Sequence, residues 1–124
     1  MGIGRKALVN PQTRPRPYVQ KLRLTFTPPE TGNYEVSFSC MVSHSDTGVF
    51  AQTRVPVDDT DTYKETLQEL YNFKYSDGAY YGRHGIFVVN LDASVHTLDL
   101  DFATGDSGKT MYIKEAIITA RRID

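Results

Sequence analysis

Residues 34–43 read YEVSFSCMVS, and this stretch decides the fold. Its bulky apolar residues fall at every second position: Tyr34, Val36, Phe38, Cys40 and Val42. A period of two predicts a half-buried β-strand, in which these side chains all point to one face. Cys40 stands on that face, so we expect a buried structural thiol rather than a nucleophile.

Similar patterns recur along the chain between turn signals. Residues 22–26 and 95–102 alternate, and residues 49–57 are rich in β-branched residues. Residues 86–91 form a run dominated by β-branched and aromatic residues, which is typical of a buried strand. This spacing predicts an all-β fold, an antiparallel β-sandwich, rather than βαβ units. Residues 62–71 fit a short helix or an irregular strand, and the sequence leaves both open.

The octapeptide ATGDSGKT at residues 103–110 resembles a phosphate-binding loop, G-x-x-x-x-G-K-[ST], which makes a nucleotide-binding protein a remote alternative. Such a loop needs a following helix, whose N-terminal amides hold the phosphates. Ala103 replaces the first glycine, and only 14 residues follow Thr110, too few for the strand that supplies a magnesium-binding aspartate. We expect a glycine-rich hairpin instead.

The last stretch, residues 111–123, fits either a helical stripe or a strand rich in isoleucine. The strand requires a β-bulge, since one extra residue near Lys114–Glu115 would bring Met111 and Ile113 onto the face of the later apolar residues. We therefore predict a bulged strand at this end of the chain.

The chain has 124 residues and a single cysteine, which predicts one domain without an internal disulfide or a structural metal site; we expect no cofactor. No apolar run is long enough to span a membrane, and a soluble protein made in a cytoplasm is expected. The net charge is −1, but residues 1–18 contain no acidic residue and four basic ones: Arg5, Lys6, Arg14 and Arg16. Their prolines predict an extended basic arm, residues 1–17, ahead of a β-sandwich domain, residues 18–124.

The segment LDASVHTLDLDFATGDSGKTMYIKEAIITARRI, residues 91–123, resembles the closing segment of jelly-roll domains in virion proteins of tailed bacteriophages. The shared features are a small residue in a turn, His-Thr before an alternating strand, a Gly/Ser hairpin, and Tyr-Ile-x-x-Ala before a strand ending in arginine. In this chain they are Ala93, His96-Thr97, residues 105–108, Tyr112-Ile113, Ala116 and Arg121-Arg122. The same arrangement occurs in C1q-like and TNF-like trimers. The resemblance implies a jelly roll and a capsid decoration, fibre or tail protein, often trimeric.

Aromatic residues are concentrated in one segment, with five in eleven positions: Tyr71, Phe73, Tyr75, Tyr80 and Tyr81. Together with Arg83 they predict a subunit interface or a surface that stacks on sugar rings, because tyrosine offers flat apolar area with a polar tip. Ordinary packing of a crossing segment is the alternative.

Asp99 and Asp101 lie two positions apart and therefore share one face of a strand. A carboxylate pair can serve a glycosidase, but we expect the solvated face of a strand and no catalytic residues. The aspartates of residues 58–61 are expected to form a plain acidic loop rather than a calcium site. The resemblance implies that His96 fixes the turn before its strand.

These observations predict a non-enzymatic structural protein of a phage virion, made in the host cytoplasm and forming a homo-oligomer, with a trimer as the first choice. The expected role is capsid decoration or cementing, in which the arm and the β-sandwich bind the major capsid protein or another virion protein. The alternative is a receptor- or glycan-binding module of a tail fibre or tail tip. No membrane partner is expected. Nucleic acid is disfavoured because no aromatic residues interleave the basic ones.

Overall fold

A computed structural model of the protein describes residues 3–8, 12–14, 18–45, 51–67, 80–104 and 110–124. These residues contain nine β-strands: β1 (Ile3–Leu8), β2 (Gln12–Arg14), β3 (Val19–Phe26), β4 (Gly32–His44), β5 (Ala51–Val57), β6 (Asp61–Leu67), β7 (Tyr81–Leu91), β8 (His96–Thr104) and β9 (Met111–Arg122). None of the described segments is a helix long and apolar enough to cross a membrane.

The strands form two antiparallel sheets. The first sheet has the strand order β1-β9-β4-β7, with β2 also paired to β9, and the second sheet has the order β3-β8-β5-β6. Neighbours such as β4 and β9, or β3 and β8, come from distant parts of the chain, so the connections cross between the sheets. The structure confirms the predicted all-β fold, an antiparallel jelly-roll β-sandwich.

The core lies between the two sheets and is built from the alternating residues of their strands. Every second residue of β4 from Tyr34 to Val42 is buried, and Leu98 and Phe102 of β8 are fully buried opposite them. Cys40 is among these core residues, and burial raises the pKa of its thiol to about 12. The predicted buried structural thiol is therefore confirmed.

The predicted β-bulge in the last strand is confirmed at Glu115. The register between β4 and β9 shifts between Ser39 and Met41. Because of the extra residue, Met111 and Ile113 are fully buried on the core face. Glu115 has a φ of 53°, a left-handed conformation that costs a residue with a side chain about 1–2 kcal/mol.

The first two strands complete one edge of the first sheet. β1 pairs with β9 so that Leu8 lies opposite Ala116, and β2 continues so that Gln12 lies opposite Ile113. Residues 9–11, between β1 and β2, lie outside the described residues. The division of the chain into a separate arm and a domain stays a prediction.

The segment that the sequence left open between helix and strand is a strand, β6, as far as Leu67, and residues 68–79 lie outside the described residues. The turn between β5 and β6 contains Asp58 and Asp59, whose φ values are 54° and 62°. Two successive left-handed residues are typical of tight hairpin turns, and aspartate tolerates this conformation better than most residues.

The outward face of the second sheet contradicts the prediction that Asp99 and Asp101 are solvated. They are only 4% and 7% exposed, because arginines of the neighbouring strands lie across them. Arg23 donates to both oxygens of Asp99, with Nε–Oδ1 at 2.7 Å and Nη2–Oδ2 at 2.8 Å. Arg54 Nε lies 3.1 Å from Asp101 Oδ2. The sequence pattern of β8 alone could not predict this burial, because the covering arginines belong to other strands of the sheet.

The two arginines have further partners on this face. Arg23 also contacts the carboxylate of Asp59, and the guanidinium carbon of Arg54 lies 4.1 Å from the centre of the Tyr18 ring. Burial raises the pKa of Asp101, an effect that Arg54 opposes. These charges are therefore compensated within the domain.

Replacing Glu115 with glycine is expected to raise the free energy of unfolding by about 1 kcal/mol, since glycine adopts the left-handed conformation without the steric cost. Urea denaturation of Glu115→Gly and Glu115→Ala measures the effect, because alanine removes the carboxylate but keeps the strain. An equal change in both variants would contradict a backbone origin.

Asp99→Asn is expected to lower the free energy of unfolding by about 1–2 kcal/mol, because Arg23 then faces an uncharged partner in a largely buried position. Asp59→Asn is the matched control, since Asp59 contacts the same arginine but its side chain is 59% exposed. We expect the control to lose less than about 0.5 kcal/mol in urea denaturation. Similar losses at the two positions would show that burial does not decide the effect.

Candidate functional site

The outward face of the first sheet has small side chains along its centre and larger ones at its sides. Ser37 and Ser39 of β4 stand in register with Ile86 and His84 of β7. On their other side, the same two serines pair with residues of β9. We name this surface the groove face and define it by Ser37, Ser39, Met41, Gly82, His84, Ile86, Val88, Ile117 and Thr119.

A groove runs along this face because the serines of β4 are shorter than their neighbours. It consists of two adjoining depressions of about 730 and 550 Å³, which share Ser39, His84 and Ile117. On the floor, the hydroxyl oxygens of Ser37 and Thr119 lie 2.6 Å apart and form a hydrogen bond. The groove therefore combines a floor of hydroxyl groups with walls of aliphatic and imidazole side chains.

The bulge of β9 gives the larger depression a carboxylate. Glu115 lines this depression together with Met41 and Gly82, and bulges commonly redirect a side chain in this way. Gly82 has no side chain that would fill this depression. A Cβ atom added there would lie 3.8 Å from Met41 Sδ, an ordinary contact distance. One end of the groove thus has a carboxylate, and the middle has the hydroxyl groups of the serines.

Beside the groove, Ile86 and Val88 form an apolar ridge on β7, with 56% and 53% of their surfaces exposed. The prediction of a buried strand over residues 86–91 is wrong for these two residues. Val89 and Leu91 do reach the core. The reason is that β7 has only one face toward the core, and among the described strands it pairs with β4 alone. Neighbouring exposed apolar side chains of this kind mark interaction surfaces.

The predicted aromatic contact group is only partly described, and its described members have different surroundings. Tyr81 packs against the core, whereas the ring of Tyr80 lies 4.0 Å from Lys114 Nζ, one residue from the bulge. Outside the described residues lie Tyr71, Phe73 and Tyr75. The predicted contact surface of these aromatic residues therefore stays a prediction.

Arg83, the basic member of that group, borders the groove. It lies opposite Cys40 in the β4–β7 register and lines the larger depression. Its Nη1 donates to the carbonyl oxygen of Gly82 at 2.9 Å, and its buried Nε has no hydrogen-bond partner among the described residues. Burial lowers the pKa of Arg83, an effect that Cys40 opposes.

The basic residues of the first segment are distributed over the sheet edge. Arg5 and Lys6 lie in β1, where they pair with β9, and Arg14 is the last residue of β2. Arg16 lies outside the described residues. Their role in binding a partner stays a prediction, although the backbone on which three of them stand is an edge of the first sheet.

His96 lies at one end of the sandwich, between the side chains of Asp58 and Asp92. It therefore holds the turn before β8 in place, as the resemblance implied. Asp58 and Asp59 of the acidic loop contact His96 and Arg23. Within the described ranges, no group of three or more His, Cys, Asp or Glu side chains is arranged to hold a metal ion.

The stretch that resembles a phosphate-binding loop is followed by a strand. β9 begins at Met111, directly after Thr110, where a phosphate-binding loop requires a helix. Ala103 and Thr104 belong to β8, and residues 105–109 lie outside the described residues. The remote nucleotide-binding alternative therefore lacks the helix on which it depends, and the predicted last strand is confirmed.

No protein-family model and no curated protein sequence matches the chain. Solved structures match it in fold. Eiger TNF from S. frugiperda aligns with a TM-score of 0.65 and 9% identity over 98% of this chain and 92% of the other. A protein chain from the structure of infectious bursal disease virus, Gx strain, aligns with a TM-score of 0.66 and 6% identity over 96% of this chain and 32% of the viral chain.

A third match is the C-terminal domain of EclA, a sugar-binding protein, with a TM-score of 0.53 and 18% identity over 91% of this chain and 79% of the other. The chain spans about a third of the length of the viral chain that it matches. At these identities the likeness concerns the fold. The chain is therefore similar to TNF, a viral capsid protein and a sugar-binding domain in its jelly roll, and the tailed-phage family stays a prediction.

Proposed function

We propose that this protein is a non-enzymatic structural protein of a virion and that it assembles with copies of itself through the groove face. The observation that carries the proposal is the exposed apolar ridge beside the groove. Ile86 and Val88 leave apolar surface in water unless another chain covers them, and covering that surface would favour association.

A ridge and a groove that lie side by side on one face fit each other only between different molecules. In a contact without a two-fold axis, a second copy that sets its ridge into the groove of the first keeps its own groove available for a third copy. Such head-to-tail contacts close into a ring if the rotation fits. A trimer is the first choice because the closing segment of the sequence resembles trimeric families.

The finer role that we propose is capsid decoration or cementing in a tailed phage, with the protein made in the host cytoplasm. A shell role is supported by further matches of the fold, the VP2 protein of infectious bursal disease virus in derived T=1 particles and in a subviral particle. Repeated copies on a shell would reinforce one another by avidity even if each contact were weak.

The shell partner, the major capsid protein or another virion protein, would bind at the edge formed by β1. An edge strand can accept backbone hydrogen bonds from a strand of another chain. Arg5 and Lys6 stand on this edge, and their charges suit an acidic neighbour. This mechanism involves no cofactor, membrane or nucleic acid.

The second candidate is a receptor- or glycan-binding module of a tail fibre or tail tip. It is favoured by the hydroxyl floor of the groove and by the Glu115 carboxylate, both of which can bind sugar hydroxyl groups. The fold match to the C-terminal domain of EclA, a sugar-binding protein, also supports this candidate. A glycan array distinguishes the candidates, because a decoration protein should bind none of the sugars.

Ile86→Glu and Val88→Glu, alone and together, are expected to convert the oligomer into monomers, because a buried carboxylate without a partner opposes association. Sedimentation velocity gives the oligomeric state. Far-UV circular dichroism checks that the β-sheet content is unchanged, since both side chains point away from the core.

The matched control is Val95→Glu, which places the same charge at another exposed valine, outside the groove face. It is expected to leave the oligomer intact. The proposal fails if the ridge variants assemble as well as the unaltered protein, or if the control dissociates to the same extent.

A further inference from the structure

Both ring nitrogens of His96 face a carboxylate. Nδ1 lies 2.8 Å from Asp58 Oδ2, and Nε2 lies 2.9 Å from Asp92 Oδ1. Asp58 belongs to the turn between β5 and β6, and Asp92 to the turn between β7 and β8. One buried side chain therefore connects two turns that are far apart in the sequence.

These two contacts together require the protonated ring. A neutral imidazole has one N–H group, and its other nitrogen presents a lone pair that repels a carboxylate. Burial by itself lowers the pKa of His96, but the hydrogen bonds and charges of Asp58 and Asp92 outweigh burial, so the pKa is raised. Loss of the proton therefore removes one of the two hydrogen bonds between the ring and the aspartates.

Asp92 is the aspartate that is easier to release. Its side chain is 67% exposed, compared with 42% for Asp58, so water replaces the lost hydrogen bond more readily. Ser94 also donates to Asp92 through its backbone N–H, at 3.0 Å, and through its hydroxyl group. Asp58 is held by the backbone N–H of Thr97 at 2.9 Å, within β8 itself.

We infer that His96 is a pH-dependent clasp: the protonated ring fastens the turn of residues 92–95 to the end of the sandwich, and deprotonation frees this turn. The clasp goes beyond the proposed assembly and does not depend on it. Val95 belongs to this turn and is 63% exposed, so the clasp also controls the position of one exposed apolar side chain.

Other charged groups near the clasp are engaged elsewhere. In the β5–β6 turn, the carboxylate next to Asp58 is Asp59, which contacts Arg23 of β3. On β3 itself, the residue paired with His96 is the uncharged Phe26. Among the described residues, Asp58 and Asp92 are therefore the charges that act on the ring directly.

The sign of the effect follows from the raised pKa. A histidine whose pKa in the folded state lies above the unfolded value of about 6.5 stabilises the fold fully at pH values below the unfolded value. That stability is lost as the pH rises through the pKa of the folded state. The clasp is thus closed at pH values below about 6.5 and opens as the pH rises through the raised pKa of His96.

NMR spectroscopy of the full chain from about pH 5 upward through the titration of the His96 ring tests the clasp. We expect backbone order parameters of residues 93–95 to fall from about 0.85 to below about 0.6 as the His96 ring titrates. Residues 58–60 should keep their values, and ¹⁵N shifts should show the neutral ring protonated at Nδ1. Constant order parameters at residues 93–95, or a loss at residues 58–60 instead, would overturn the inference.

His96→Gln should remove the pH dependence of this turn, and the matched control His84→Gln, on the groove face, should keep it. A pH dependence that persists in His96→Gln would also overturn the inference. Asp92→Ala provides a second variant in case His96→Gln does not fold, because alanine cannot accept the hydrogen bond from His96. Because Asp92 is exposed, this variant should fold and should have a mobile turn at both ends of the pH range.

Discussion

The pairing of β4 with β9 determines both faces of the first sheet. Side chains alternate along a strand, so without the bulge the early and late apolar residues of β9 would point to opposite faces. One extra residue, Glu115, brings Met111 and Ile113 into the core. The same residue supplies the carboxylate of the groove. Core and groove therefore depend on one irregularity, which the protein maintains with a residue in a strained conformation.

The outward faces of the two sheets differ in how their side chains are covered. On the second sheet, Asp99 and Asp101 are covered by arginines from neighbouring strands, so this face compensates its charges internally. On the first sheet, the ridge of Ile86 and Val88 has no such cover among the described residues. Apolar surface that a domain leaves exposed beside a groove is the feature expected of an interface between chains.

Much of the fold could be predicted because alternation is a local property of the sequence. The strand containing residues 34–43 and the bulge near Glu115 both follow from the positions of apolar residues along one strand. The exposure of Ile86 could not be predicted, since a run dominated by β-branched and aromatic residues has no period that distinguishes an edge strand from a central one. The burial of Asp99 was missed because its partner, Arg23, is 76 positions away. The groove depends on which strands become neighbours in the sheet, and this order cannot be predicted from the sequence of any one strand.

The most direct test of this account is the mass of the unaltered protein by multi-angle light scattering over a dilution series. The account predicts a closed oligomer, with three times the chain mass of 14.0 kDa as the first choice. The mass of a single chain at every concentration would contradict it. In that case the ridge and the groove would not serve self-assembly, and the groove would have to be tested as a site for a different ligand.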